Sequence, residues 1–135
     1  MDKNAKIFTG VVAVLVVGVA LLAMLRSGGG ASAGPGIYDE FATCLKDKGA
    51  VFYGAFWCPH CQSQKKLFGS SQKLLPYVEC STADGRGQTQ ACIEKGITSY
   101  PTWEFADGSK LNGEIPLAQL AEKTSCVLPG ESVPE

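Results

Sequence analysis

The sequence predicts one α/β domain with a mixed β-sheet flanked by helices, preceded by a single apolar helix at the N-terminus. Three observations predict it. From Ile37 onward the hydrophobic pattern reads helix, then strand–helix–strand, then helix, then strand–strand–helix, an order that layers helices on a sheet. Asp107-Gly108 between two short runs is a hairpin signal, so at least one strand pair is antiparallel. Ile7 to Leu25 runs 19 positions without a charged side chain. A chain of 135 residues then has room for one ordinary domain beyond that run.

As a helix the apolar run reaches about 28 Å, close to the roughly 30 Å hydrocarbon core of a bilayer. A buried soluble helix of this kind would need a larger protein around it. Lys3 and Lys6 precede the run against Asp2, and after Arg26 nothing is charged until Asp39. That asymmetry predicts a cytoplasmic N-terminus and an extracytoplasmic (periplasmic or lumenal) C-terminal part. Ala31-Ser32-Ala33 offers a signal-peptide cleavage pattern, but the run exceeds the usual h-region of about 7–15 residues. A retained single-pass membrane anchor over residues 1–26 is the favoured reading. Ser27 to Gly36, SGGGASAGPG, is a flexible tether. Residues 37–135 form the domain.

Ile37 to Lys48 places Ile37, Phe41, Ala42 and Leu45 at helical spacing, ended by Gly49. Ala50 to Phe56 is a continuous apolar run, the mark of a strand covered on both faces. Pro59 to Phe68 suits a helix with proline in its first turn. Tyr77 to Cys80 is a short strand and Thr89 to Lys95 a short helix stopped by Gly96. Thr102 to Ala106 and Lys110 to Glu114 flank the hairpin turn, and Leu117 to Ser125 closes the domain as an amphipathic helix.

Composition excludes several classes. A net charge of −1 argues against a basic nucleic-acid-binding surface, and 45% hydrophobic residues argue against disorder. Six cysteines are the informative excess. Two of them lie in Trp57-Cys58-Pro59-His60-Cys61, where the covered strand meets the next helix. Two cysteines with two residues between them on a first helical turn can close a small disulfide. At the helix N-terminus the sulfur of Cys58 meets unpaired N–H groups and the positive end of the dipole. Both favour the thiolate, the nucleophile of thiol–disulfide exchange. His60 is placed to favour it further. Cys61 is then the resolving thiol. Stabilising the thiolate stabilises the reduced pair, so Pro59-His60 points toward disulfide donation rather than reduction. An all-thiolate zinc site from Cys58, Cys61, Cys80 and Cys92 is the structural alternative, but eleven residues separate the second pair rather than two to four. No metal, nucleotide or flavin cofactor is called for, because the cysteine pair carries the electrons.

Phe56-Trp57-Cys58-Pro59-His60-Cys61, followed some forty residues later by Tyr100-Pro101-Thr102, resembles the thioredoxin superfamily. The resemblance covers about Ala50 to Ser125 and implies a thioredoxin-like fold. It implies that Tyr100–Pro101 is a cis peptide facing the cysteine pair, that the Tyr100 backbone meets a bound substrate, and that Trp57 shields one side of the site. Pro-His between the cysteines resembles bacterial oxidants of the DsbA type. The size and cysteine distribution resemble the thioredoxin-like domain of bacterial and plant vitamin K epoxide reductase homologues. That resemblance implies cysteine-containing exported proteins as clients and a separate quinone-reducing membrane oxidoreductase as partner. The chain departs from the family at Phe52, where thioredoxins carry a buried aspartate, which leaves Glu104 or water to take the proton of Cys61. The helical insertion of DsbA-type oxidants is also missing. A non-catalytic module that binds cysteine-bearing clients is the reading from another class.

Cys44, Cys80, Cys92 and Cys126 remain, with three pairings open to them. The thioredoxin-like layout selects Cys80–Cys92, joining a strand end to the next short helix. It also selects Cys44–Cys126, joining the first helix to the last. Lys65-Lys66 is read as the solvated face of the active-site helix, and Trp103 as core or sheet face.

Overall fold

The structure, a computed structural model, describes residues 10–18 and 35–130. The chain divides into two units, Met1–Ser32 and Ala33–Glu135. In the first, residues 10–18 are helical with every side chain exposed. The rest of the Ile7–Leu25 run, and the expected tether up to Gly34, lie outside the described residues. Among the described residues no helix is long and apolar enough to cross a membrane.

The second unit opens with α1 (Asp39–Asp47), which carries Asp39 and Glu40 in its first turn and Lys46 in its last, each charge matched to the helix dipole. The helix begins two residues inside the expected span because Asp39 folds back on Gly36, its carboxylate accepting the Gly36 N–H at 2.9 Å. It buries Phe41, Ala42 and Leu45. Strand β1 (Val51–Gly54) follows. It stops at Gly54 rather than Phe56 because the chain turns there, Cys58 N–H donating to Ala55 O at 3.0 Å. Helix α2 (Pro59–Leu67) has proline in its first turn. A 3-10 helix over Gly69–Leu74 comes next. Its GSSQKL sequence has no apolar period to announce it, and the buried Ser71 anchors it by accepting from Tyr38 N–H at 3.2 Å. Then come β2 (Tyr77–Glu79), α3 (Gln90–Glu94), β3 (Thr102–Glu104), β4 (Lys110–Asn112) and α4 (Leu117–Thr124).

The four strands form one mixed sheet in the order β2-β1-β3-β4. β1 runs parallel to β2 and antiparallel to β3. The β3–β4 hairpin turns through Asp107-Gly108, where Gly108 has φ 78° and donates to Phe105 O at 2.8 Å. A left-handed φ of this kind is nearly free only for glycine. The arrangement is α/β and consistent with the thioredoxin-like layout that the resemblance implies.

One face of the sheet carries the larger core. Phe52 stacks on Trp103 at 4.9 Å between centroids, Phe41 stacks on Phe68 at 5.9 Å, and Leu45, Cys61 and Leu120 fill the space around them. Each such large side chain contributes roughly 1.5–3 kcal/mol by leaving water. The other face is smaller: Tyr53, Cys80, Cys92 and Ile97. Disulfides join Cys44 to Cys126, with Cα atoms 5.9 Å apart, and Cys80 to Cys92, with Cα atoms 5.5 Å apart. The first ties α1 to the end of α4; the second ties the residue after β2 to α3.

Candidate dithiol site

Because β1 lies between β2 and β3, its C-terminal end opens at the middle of the sheet edge, and α2 starts there. Cys58 is the N-cap of α2 in an extended conformation, φ −78° and ψ 119°. Its sulfur accepts the backbone N–H of Cys61 at 3.4 Å, so a cysteine takes the capping role usually filled by a side-chain oxygen. The positive end of the helix dipole points at this sulfur as well. Pro59 occupies the first turn, where its missing N–H costs nothing. Cys58 and Cys61 are both free thiols and both buried, Cys61 completely. Burial first, and the bond to Cys58 next, push the Cys61 thiol up to about 12. The two sulfurs therefore have distinct surroundings: one caps a helix, the other is sealed in the core.

Tyr100–Pro101 is a cis peptide. The antiparallel pairing of Tyr53 with Thr102 brings the start of β3 beside the end of β1. Tyr100 O consequently lies 3.8 Å from the Cys58 sulfur. Pro101 is fully buried. Trp57 is 52% exposed; its indole N–H donates to Ser81 Oγ at 2.9 Å and its ring meets Tyr100 edge-on at 6.1 Å. Trp103 is wholly in the core.

His60 stands on the exposed side of the helix and is engaged by Glu114, Nδ1 to Oε1 at 2.6 Å. A carboxylate only accepts, so Nδ1 carries the proton of that bond. One turn further along α2 the fully buried Gln64 clamps Ile115, donating to its carbonyl at 3.0 Å and accepting its N–H at 2.6 Å. His60 and Gln64 thus hold the Glu114–Ile115 segment from one face of the helix.

Two expectations are corrected. Glu104 does not face Cys61. It pairs across β1 with Val51, on the sheet face of Tyr53, and is engaged by Lys95 at 3.2 Å and Lys110 at 3.6 Å. Cys61 lies on the opposite face with Phe52 and Trp103. Lys65 is not simply solvated: its Nζ sits 3.4 Å over the Tyr77 ring, while Lys66 is exposed.

Other site residues carry no local signal in the sequence. A Cβ on Gly54 would lie 2.9 Å from Tyr77 Cε2 and 3.0 Å from Cys61 Sγ, so only glycine lets β1, β2 and α2 approach this closely. The Tyr77 hydroxyl donates to Glu79 Oε2 at 2.7 Å. The other oxygen of Glu79 accepts from Ser81 N–H at 2.8 Å and Phe56 N–H at 3.2 Å. Cys80 and Cys92, which a four-thiolate zinc site would require, are bonded to each other. Among the described residues no group of three or more His, Cys, Asp or Glu side chains is placed to hold a metal ion.

Two free thiols at a strand–helix junction, one capping the helix, with a carbonyl of an adjacent strand beside it, make a centre chemically suited to dithiol–disulfide exchange. No family model matches the chain. It is similar to the thiol-disulfide oxidoreductase LTO1 of Arabidopsis thaliana, 46% identical over 84 residues that make up 59% of this chain and 22% of that protein. The chain thus spans about a fifth of the length of the curated relative it matches.

Proposed function

We propose that this chain is a membrane-anchored protein thiol–disulfide oxidoreductase with a thioredoxin-like fold, donating disulfides to cysteine-containing exported proteins. The observation that carries the reading is the N-capping sulfur of Cys58, 3.4 Å from the backbone nitrogen of Cys61 and 3.8 Å from Tyr100 O. Similarity to a protein named a thiol-disulfide oxidoreductase supports the same activity.

In the donor direction a client thiolate attacks Cys58 of the Cys58–Cys61 disulfide. A client–Cys58 bond forms, the Cys58–Cys61 bond breaks, and Cys61 leaves with the electron pair and takes a proton. A second client thiolate then attacks the client sulfur, closing the client disulfide and releasing Cys58 as thiolate. The client loses two electrons and the pair gains them. The helix cap favours Cys58 as this final leaving group, and that supports donation over reduction. His60, Pro59 and the backbone of Tyr100 before Pro101 shape the surroundings of Cys58.

The charge-free run from Ile7 to Leu25 supports a single-pass anchor, and the cations before it support a cytoplasmic N-terminus with the domain on the extracytoplasmic side. The reduced pair then needs an electron acceptor. A separate quinone-reducing membrane oxidoreductase of the vitamin K epoxide reductase type fits that need.

The reading is tested by mixing the oxidised full chain with a reduced, unfolded two-cysteine protein and trapping thiols over time. Transfer of one disulfide per chain, abolished by Cys58→Ser, is expected. Binding without transfer would replace it with a passive client-holding module.

A further inference from the structure

The exchange reaction just proposed leaves one proton without a carrier. Cys61 is fully buried, and it must gain a proton as it leaves the disulfide and lose one as it closes it. Phe52, which stacks on Trp103, offers no proton acceptor, and Glu104 is on the wrong face of the sheet. Beside Cys61 lie Cys58 of its own helix and, at Gly54, the ring edge of Tyr77 from β2, with Lys65 over that ring and Glu79 bonded behind it.

We propose that Tyr77 and Glu79 form the proton route of Cys61, the phenol exchanging a proton with the thiol while Glu79 takes or returns the phenol proton. Three geometric facts converge. Gly54 has no side chain, and the Tyr77 ring edge and the Cys61 sulfur crowd the point its Cβ would fill, at 2.9 and 3.0 Å. Tyr77 and Glu79 lie on the same sheet face as Cys61, because Phe52 pairs with Tyr77 and Gly54 with Glu79. Tyr77 is fixed from both sides, by Lys65 Nζ 3.4 Å above its ring and by its 2.7 Å bond to Glu79. Burial and the Glu79 bond together hold the phenol protonated, so it relays a proton rather than storing a charge.

When Cys61 closes onto Cys58, the Cys61 thiol proton passes to the Tyr77 oxygen as the phenol proton passes to Glu79. The Cys61–Cys58 bond forms, and the sulfur previously bound to Cys58 leaves as thiolate with the electron pair. When Cys61 is expelled, the protons move the other way. Glu79 acts through Tyr77 and is a positioning residue as well as the terminal acceptor. Its Oε1 also holds the turn at Phe56 and Ser81.

The test is stopped-flow oxidation of the reduced full chain by glutathione disulfide, read by Trp57 fluorescence at a series of pH values. The first phase, forming the Cys58–glutathione mixed disulfide, scales with glutathione disulfide; the second, closure by Cys61, does not. In the wild type the second phase is independent of pH around neutrality. In Tyr77→Phe and Glu79→Gln it slows about a hundredfold near neutral pH. In both variants it then climbs tenfold per pH unit, because the Cys61 proton leaves only to hydroxide. Glu79→Asp restores the plateau. Tyr77→Phe keeps the ring against Gly54 and under Lys65, so it separates the hydroxyl from packing. A wild-type plateau retained in either Tyr77→Phe or Glu79→Gln, with that variant folded, overturns the route and leaves the proposed function standing. A wild-type chain with neither phase overturns the proposed function itself.

Discussion

The sulfur of Cys58 caps the helix that contains Cys61, accepting the Cys61 backbone N–H at 3.4 Å while the Cys61 sulfur lies fully buried behind it. On the proposed function, this asymmetry makes Cys58 the attacking sulfur and Cys61 the resolving one. Cys61→Ser therefore accumulates stable mixed disulfides between Cys58 and cysteine-bearing clients, whereas Cys58→Ser forms none. Non-reducing electrophoresis followed by mass spectrometry reads the difference. Adducts through Cys61 in the Cys58→Ser chain would reverse the assignment.

Titration separates the two redox forms. Cys61 is raised from its ordinary 9.0 to about 12 by burial and then by its bond to Cys58. The folded reduced chain therefore holds this proton more tightly than the unfolded chain does. The resulting stability is fully present below pH 9 and is lost as pH rises toward about 12. The oxidised chain has no such group. Tyr53 and Tyr77, both raised mainly by burial, titrate in both forms. The Tm of the reduced chain should fall faster than that of the oxidised chain above pH 9. Parallel Tm curves would show that Cys61 is not sealed from water.

Gly54→Ala places a methyl where Tyr77 and Cys61 already meet, at 2.9 and 3.0 Å. The atoms it meets are the Tyr77 ring, fixed by its bond to Glu79, and the side chain of Cys61, held on its helix, so relief requires β2 or α2 to shift. The cost is about 1–3 kcal/mol, typical of overpacking. Denaturant unfolding of the oxidised chain measures it. An unchanged midpoint would mean that the two elements are not held this close.

Much of this was legible locally. Cys58 and Cys61 announce themselves by spacing and by sitting where an apolar run gives way to a helix, and Asp107-Gly108 announces its hairpin. Gly54, Tyr77, Glu79 and Lys65 do not, because they meet only through the parallel pairing of β1 with β2, across more than twenty residues of chain. Glu104 shows the limit from the other side. Alternation along Thr102-Trp103-Glu104 places Trp103 and Glu104 on opposite faces. Only the packing of α2 decides which face receives Cys61. The 3-10 helix is held by Ser71, a polar residue with no periodic signature.

His60, in the first turn of the helix that Cys58 caps, is tied to Glu114 at 2.6 Å. Replacing it with serine removes the imidazole that stands between the two cysteines in sequence. The reduction potential of His60→Ser should fall by about 30 mV or more, a tenfold change in the exchange constant. Glu114→Gln should produce a smaller shift in the potential. An unchanged value in His60→Ser would restrict His60 to a strut between α2 and the segment before α4.

The two disulfides close loops of different length, with sequence separations of 12 for Cys80–Cys92 and 82 for Cys44–Cys126. Loop entropy assigns roughly 3 kcal/mol to the shorter and roughly 4.5 kcal/mol to the longer. Paired alanine substitution at Cys44 and Cys126 should therefore lower the unfolding midpoint more than the same change at Cys80 and Cys92. The reverse order would place the dominant effect in native packing.

The most direct test of the central claim is the reduction potential of the Cys58–Cys61 pair in the full chain, equilibrated in glutathione buffers and read by thiol trapping. A disulfide donor should fall between about −120 and −180 mV, the range of strong oxidants and isomerases. A value near roughly −270 mV, that of a dedicated reductant, would contradict donation.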